Sequence, residues 1–153
     1  MGELIEMTYY RGKIRNGDTD AEIMSLTAWS DSRLMWPMVR YHACNVLCDS
    51  DTIWNSGSYA PSSICIKLTE GPKYVTSVKL QAEMSPLRAL VHHEIHVGVT
   101  VDTMRSVGCI KCSVSHGEWI RVAVNDNVQY VKIMTISSPS YVAWKRIRVY
   151  GEP

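Results

Sequence analysis

Phenylalanine is missing from the chain altogether, so five tryptophans and eight tyrosines must carry the aromatic bulk of any core or binding surface. No apolar run approaches the roughly 18 residues of a membrane span. The formal net charge is only +1. The basic excess with which nucleic-acid binders hold phosphates is therefore absent, and no nucleic-acid partner is expected. Also missing are a Gly-rich phosphate loop, a G-x-S-x-G elbow and a helix-borne H-E-x-x-H. Ser, His and Asp residues form no local catalytic pattern, and the expectation is a protein that is not an enzyme. The opening Met1-Gly2-Glu3-Leu4-Ile5-Glu6 lacks the basic and long apolar regions of a secretory leader. Five cysteines, an odd number, suggest free thiols in a reducing, cytoplasmic setting.

What is present is sufficient for one domain over residues 1–153. The chain is 46% hydrophobic and 20% charged, long enough to bury a core without staples. From Ser62 onward, short β-rich runs alternate with turn signals, and no helical period is sustained. The runs are Ser63–Leu68, Tyr74–Gln81, His93–Val99, Gly108–Val114, Trp119–Val124, Val128–Met134 and Val142–Tyr150. Many short strands at even spacing predict an all-β antiparallel sandwich, or jelly roll. Period-2 alternation places Ile64, Ile66, Val78, Leu80, Ile95, Val97, Val131, Ile133, Ile147 and Val149 in its core. The first 60 residues are less regular: Met7–Ile14 reads as a strand, Asp20–Met24 as a strand or a helical turn, and 29–60 as long loops with one helical turn at His42–Leu47. Long loops in a compact domain are where binding residues concentrate.

Two clusters invite a metal reading. His92, Glu94 and His96 share one face of a strand, but side chains at i, i+2 and i+4 spread over roughly 13 Å, too far for one ion. That spacing equally describes a half-exposed strand. Cys109-Ile110-Lys111-Cys112, with Cys44 and Cys48, makes a four-thiolate zinc site conceivable. Residues three apart on a strand point to opposite faces, however, and buried thiols acting as small hydrophobes are the expectation. No metal site is expected from either cluster.

Three ordered motifs carry a resemblance. Asn45-Val46-Leu47-Cys48-Asp49-Ser50-Asp51-Thr52-Ile53-Trp54 leads into Ser62-Ser63-Ile64-Cys65-Ile66-Lys67-Leu68. Val75-Thr76-Ser77-Val78-Lys79-Leu80 is followed by His93-Glu94-Ile95-His96-Val97-Gly98. Gln129-Tyr130-Val131-Lys132-Ile133 precedes Ala143-Trp144-Lys145-Arg146-Ile147-Arg148-Val149-Tyr150-Gly151. Together, over residues 27–151, they resemble the discoidin family, the coagulation factor 5/8 type C or galactose-binding-like domains. The resemblance implies an eight-stranded antiparallel jelly roll that binds ligands, whether glycans, phospholipids or proteins, with loops at one end.

In many relatives a calcium ion sits between the Asp-containing loop and a Glu of the last strand. Here Asp49 and Asp51 keep the loop acidic, and they are the weak calcium candidates. Arg146 stands where the Glu is expected, and a guanidinium repels calcium. The expectation is no cofactor, with Arg146 pairing Asp49 or Asp51 to tie the loop to the last strand.

The resemblance also brings three loops together as a candidate ligand site: Trp36, Arg40 and His42 from the first, Arg88 leading to His92 from the second, and Tyr141 from the third. Aromatic rings stack on sugar C–H faces, while Arg and His hydrogen-bond to hydroxyls. Trp54 and Trp144 are read as core. The expected function is a non-catalytic module that binds a glycan or glycoconjugate. The alternative is an intracellular protein-interaction module like the discoidin-like domains of ubiquitin-ligase and ciliary transport assemblies.

Overall fold

The structure, a computed structural model, describes residues 9–12 (backbone only), 20–30, 42–49 and 51–152. Eleven strands and one short 3-10 helix follow in order among the described residues. They are β1 (Tyr9–Gly12), β2 (Ala21–Glu22), β3 (Leu26–Ser30), the 3-10 turn (Ala43–Leu47), β4 (Trp54–Asn55), β5 (Ser62–Leu68) and β6 (Lys73–Ala82). They continue with β7 (Arg88–Gly98), β8 (Arg105–Ser115), β9 (Trp119–Val128), β10 (Tyr130–Ser137) and β11 (Ala143–Gly151). One sheet runs β1-β9-β6-β11-β2, with β4 also pairing β11; the other runs β3-β5-β10-β7-β8. All these pairings are antiparallel.

β10 is central in one sheet, where Ile133 lies between Ile64 and Ile95, and Val131 between Ile66 and Val97. β6 is central in the other, where Leu80 lies between Ile120 and Ile147, and Val78 between Val122 and Val149. These rows of aliphatic side chains are all fully buried. The ten core positions expected from period-2 spacing therefore all lie in the core. Trp54 and Trp144 are paired across β4 and β11 and are buried with it.

The boundaries differ from the sequence expectation in several places, three of which bear on the core and the site. β7 begins at Arg88, because Ala89 and Val91 continue the inward alternation of Ile95 and Val97. Val99 falls beyond its end and is exposed, so it does not share the core face with Ile95 and Val97. β3 was not foreseen: its last two residues, Trp29 and Ser30, fell within the expected loops, and Leu26–Ala28 carried no assignment. Its single buried side chain, Ala28, is too small a signal for alternation to reveal.

All five cysteines are free, and burial pushes the Cys65 thiol up to about 11. Cys112 lies opposite the inward Val91 and Cys109 opposite the outward Glu94, so the two thiols belong to opposite faces.

Loss of Ile95 methylenes should leave a cavity between the sheets. Ile95→Ala should cost about 2–5 kcal/mol in denaturant unfolding. A loss below about 1 kcal/mol would place Ile95 outside a close-packed core.

His93 projects inward from β7. Its Nδ1 lies 2.9 Å from Thr135 Oγ1, and its ring packs 4.7 Å from that of Trp144. Burial, aided by neighbouring His92, lowers its pKa to about 3. The unfolded chain takes up this proton near pH 6.5 and the folded one only near 3, so the folded state is disfavoured as pH falls between them. Stability should drop by up to about 1.4 kcal/mol per pH unit across that window. Urea midpoints from pH 7 to pH 4 check this, and His93→Gln should remove most of the slope.

Candidate functional site

One end of the sandwich gathers the β6–β7 connection, the β8–β9 turn, the β10–β11 connection and the segment after β4. Backbone hydrogen bonds knit them. Ala82 N–H donates to Glu118 O at 3.0 Å, Gly117 N–H to Ala82 O at 2.9 Å, and His116 N–H to Leu87 O at 2.7 Å. Gly117 turns at φ +80, a left-handed conformation that suits a residue without Cβ. Across the other side, Ser56 N–H donates to Val142 O at 2.9 Å and Val142 N–H to Ser58 O at 3.0 Å. Ser85 N–H reaches Ser140 Oγ at 3.3 Å, joining the two sides.

Between them lies an open cleft of about 430 Å³. Asn55, Tyr59, Glu83, Ser85, Ser140 and Tyr141 supply its polar and aromatic lining. The Tyr59 and Tyr141 rings meet edge to face, with centroids 4.8 Å apart and planes at 73°. Tyr59 is 65% exposed, so its ring is available to a ligand. The Met84 N–H donates to His116 Nδ1 at 3.1 Å. An accepting ring nitrogen carries no proton, so Nδ1 has none to give the Glu83 carboxylate 3.9 Å away.

Of the residues expected to bind, Tyr141 lines this cleft. Trp36 and Arg40 lie outside the described residues. His42 caps the 3-10 turn, where its Nδ1 accepts the Cys44 N–H at 3.1 Å. Arg88 and His92 alternate with inward residues along β7 and so belong to that sheet's outward face; neither lines the cleft. Arg88 Nη1 donates to Ser115 Oγ at 2.8 Å, and His92 Nε2 lies 3.4 Å from Cys109 Sγ. On the same face the Glu94 carboxylate lies 3.1 Å from His96 Nε2 and 3.9 Å from His92 Nε2. Sequence reasoning placed Ser85 in the second candidate loop, Met84–Arg88, but did not single out Asn55, Tyr59 or Glu83 as ligand contacts. The available signal was Asn55-Ser56-Gly57-Ser58-Tyr59, a polar turn carrying one aromatic.

The Asp-containing loop is held by two arginines of β11. Arg146 is only 6% exposed, and its Nη1 lies 2.6 Å from Thr52 O, 2.5 Å from Lys145 O and 3.4 Å from Asn45 O. The expected Arg146–Asp pair is not the one formed. Asp49 is paired by Arg148, which also lies 3.6 Å from Glu22 and 3.4 Å from Leu47 O. Arg146 and Arg148, two residues apart on β11, share one face of the strand; Arg146 lies among the carbonyls of Asn45 and Thr52, and Arg148, farther along, meets the acidic rim.

No family model matches the chain, and no curated protein matches it by sequence. Solved structures do. A family 32 carbohydrate-binding module from Clostridium perfringens NanJ, in complex with galactose, is 16% identical at a TM-score of 0.70, covering 86% of this chain and 98% of that one. CpGH89CBM32-5 from Clostridium perfringens, in complex with GalNAc-β-1,3-galactose, is 15% identical at 0.73, covering 86% and 100%. A fucolectin from striped bass (Morone saxatilis) serum is 17% identical at 0.69, covering 86% of this chain and 47% of that one. With its two antiparallel sheets superposing on these over most of its length, the chain has the discoidin-like, galactose-binding-like sandwich fold.

Proposed function

We propose that this domain is a non-catalytic glycan-recognition module and that sugar sits in the cleft between Tyr59 and Tyr141. The observation that carries the reading is the edge-to-face tyrosine pair, exposed Tyr59 and half-buried Tyr141, beside Asn55, Ser85 and Ser140. A sugar presents an apolar C–H face and a ring of hydroxyls; aromatic walls with a few fixed polar groups match both. The neighbours of the same fold that bind galactose and GalNAc-β-1,3-galactose support the same ligand class. Glycoside hydrolysis uses two facing carboxyl groups, whereas Glu83 is the one carboxylate lining this cleft among the described residues. Leu87 and Leu90, 71% and 76% exposed, favour a second reading in which the β6–β7 corner docks a protein.

The resemblance implies calcium at the Asp-containing loop, and the donor set does not suit it. Two of the loop's carbonyls face the Arg146 guanidinium, and Asp49 is paired with Arg148. A tethered cation does there what a bound ion would do, and calcium needs six to eight free oxygens. Binding is therefore proposed to be independent of calcium.

A glycan array followed by calorimetry tests the reading. Tyr59→Ala and Tyr141→Ala should each weaken binding about tenfold or more, as truncation of an anchoring aromatic does. Arg88→Ala should stay within about twofold of wild type. The reverse pattern would move the site to the outward face of β7, and a protein that binds no glycan would end the reading.

Affinity should also be unchanged by a chelator and by added calcium. Loss of binding in chelator, restored by calcium, would overturn the metal-free part alone.

A further inference from the structure

Glu83 is the one charged residue lining the cleft among the described residues. Its side chain is 27% exposed, largely withdrawn from water just past the end of β6, in the cleft that the tyrosine pair also lines. The nearest cationic candidate, His116, cannot neutralise it through the facing nitrogen, because that nitrogen accepts the Met84 N–H. The backbone on both sides of Glu83 is pinned, Ala82 to Glu118 and Gly117, and Met84 to His116. A carboxylate on so fixed a backbone is preorganised and needs little ordering to accept a ligand donor. Two tyrosine rings stand beside it, and their negative faces also attract cations.

We infer that the cleft selects glycans bearing a free, protonated amine, glucosamine-type sugars, with Glu83 as the residue that receives the ammonium. This deepens the glycan reading and rests on it. An ammonium on the sugar forms a charge-assisted hydrogen bond to Glu83 while the ring's C–H face lies on a tyrosine. Acetylating the same amine removes the charge and leaves only a neutral donor. Uronic, sialic or sulfated sugars bring an anion against Glu83 with no lysine or arginine among the described lining residues to balance it.

The test compares a chitosan oligomer, whose sugars carry free amines, with the chitin oligomer in which those amines are acetylated. Both are titrated calorimetrically into wild type and Glu83→Gln, alongside galactose as a neutral sugar. Wild type should prefer the chitosan oligomer by about tenfold, the lower end of what a charge-assisted hydrogen bond contributes. The preference should shrink as salt rises. In Glu83→Gln the two oligomers should bind within about twofold of each other. Should that variant lower the melting midpoint, the wild-type salt series carries the test by itself. Equal affinity for the two oligomers, or preference for galactose or an acidic sugar, overturns the inference and leaves the glycan reading standing. Failure to bind any of these sugars or any glycan on the array removes both.

Discussion

The facing rows of β6 and β10 are what the rest of the molecule hangs on. Each is the central strand of its sheet, and each places two aliphatic side chains between two aliphatic pairs, all excluded from water. Burial of that kind contributes roughly 1.5–3 kcal/mol per side chain. A one-residue slip in any of these strands would turn its whole set toward solvent. The register is therefore fixed by the core, and the ends of the strands are fixed with it. The cleft exists where it does because the segments that follow β4, β6, β8 and β10 meet at one end of the sandwich.

Polar groups near the core are handled in two ways. Lys79 is almost fully buried, and its ammonium lies 4.1 Å from the centre of the Tyr150 ring, whose negative face attracts it. Arg146 is buried against carbonyls of the loop it holds, and Arg148 serves the acidic rim beside it. Burying a charge without partners is costly, so the loop between the 3-10 turn and β4 is held in the shape that gives Arg146 its acceptors. Asn45 adds a bond from its side-chain amide to Ile53 O at 2.9 Å, just before β4. This matters for recognition, because β4 carries Trp54 into the core and Asn55 to the cleft wall.

The two faces of β7 show how one strand divides labour. Inward, Val91, His93, Ile95 and Val97 close the sandwich. Outward, His92 and His96 flank the Glu94 carboxylate at the surface, 3.9 and 3.1 Å from it. The sequence reading brought Arg88 and His92 to the ligand because it began the strand at His93, five residues too late. Once Arg88 is the first residue of the strand, both fall on a wall rather than at the mouth of the cleft. Tyr59 and Glu83 went unnoticed for the opposite reason. Nothing periodic marks a loop residue, and each acquires meaning only from what the fold sets beside it.

Period-2 alternation is local, so the chain alone declared its strands from Ser62 onward, their inward faces, the sandwich class and the core roles of Trp54 and Trp144. The order of its motifs went further and pointed to the galactose-binding-like fold. Partner choice among charges was beyond it: that Arg148 rather than Arg146 meets Asp49 depends on where along β11 the loop crosses. The cleft was equally hidden. Tyr59, Glu83 and Tyr141 are separated by 24 and 58 residues along the chain, and only the closing of two sheets over one core brings them to a common edge.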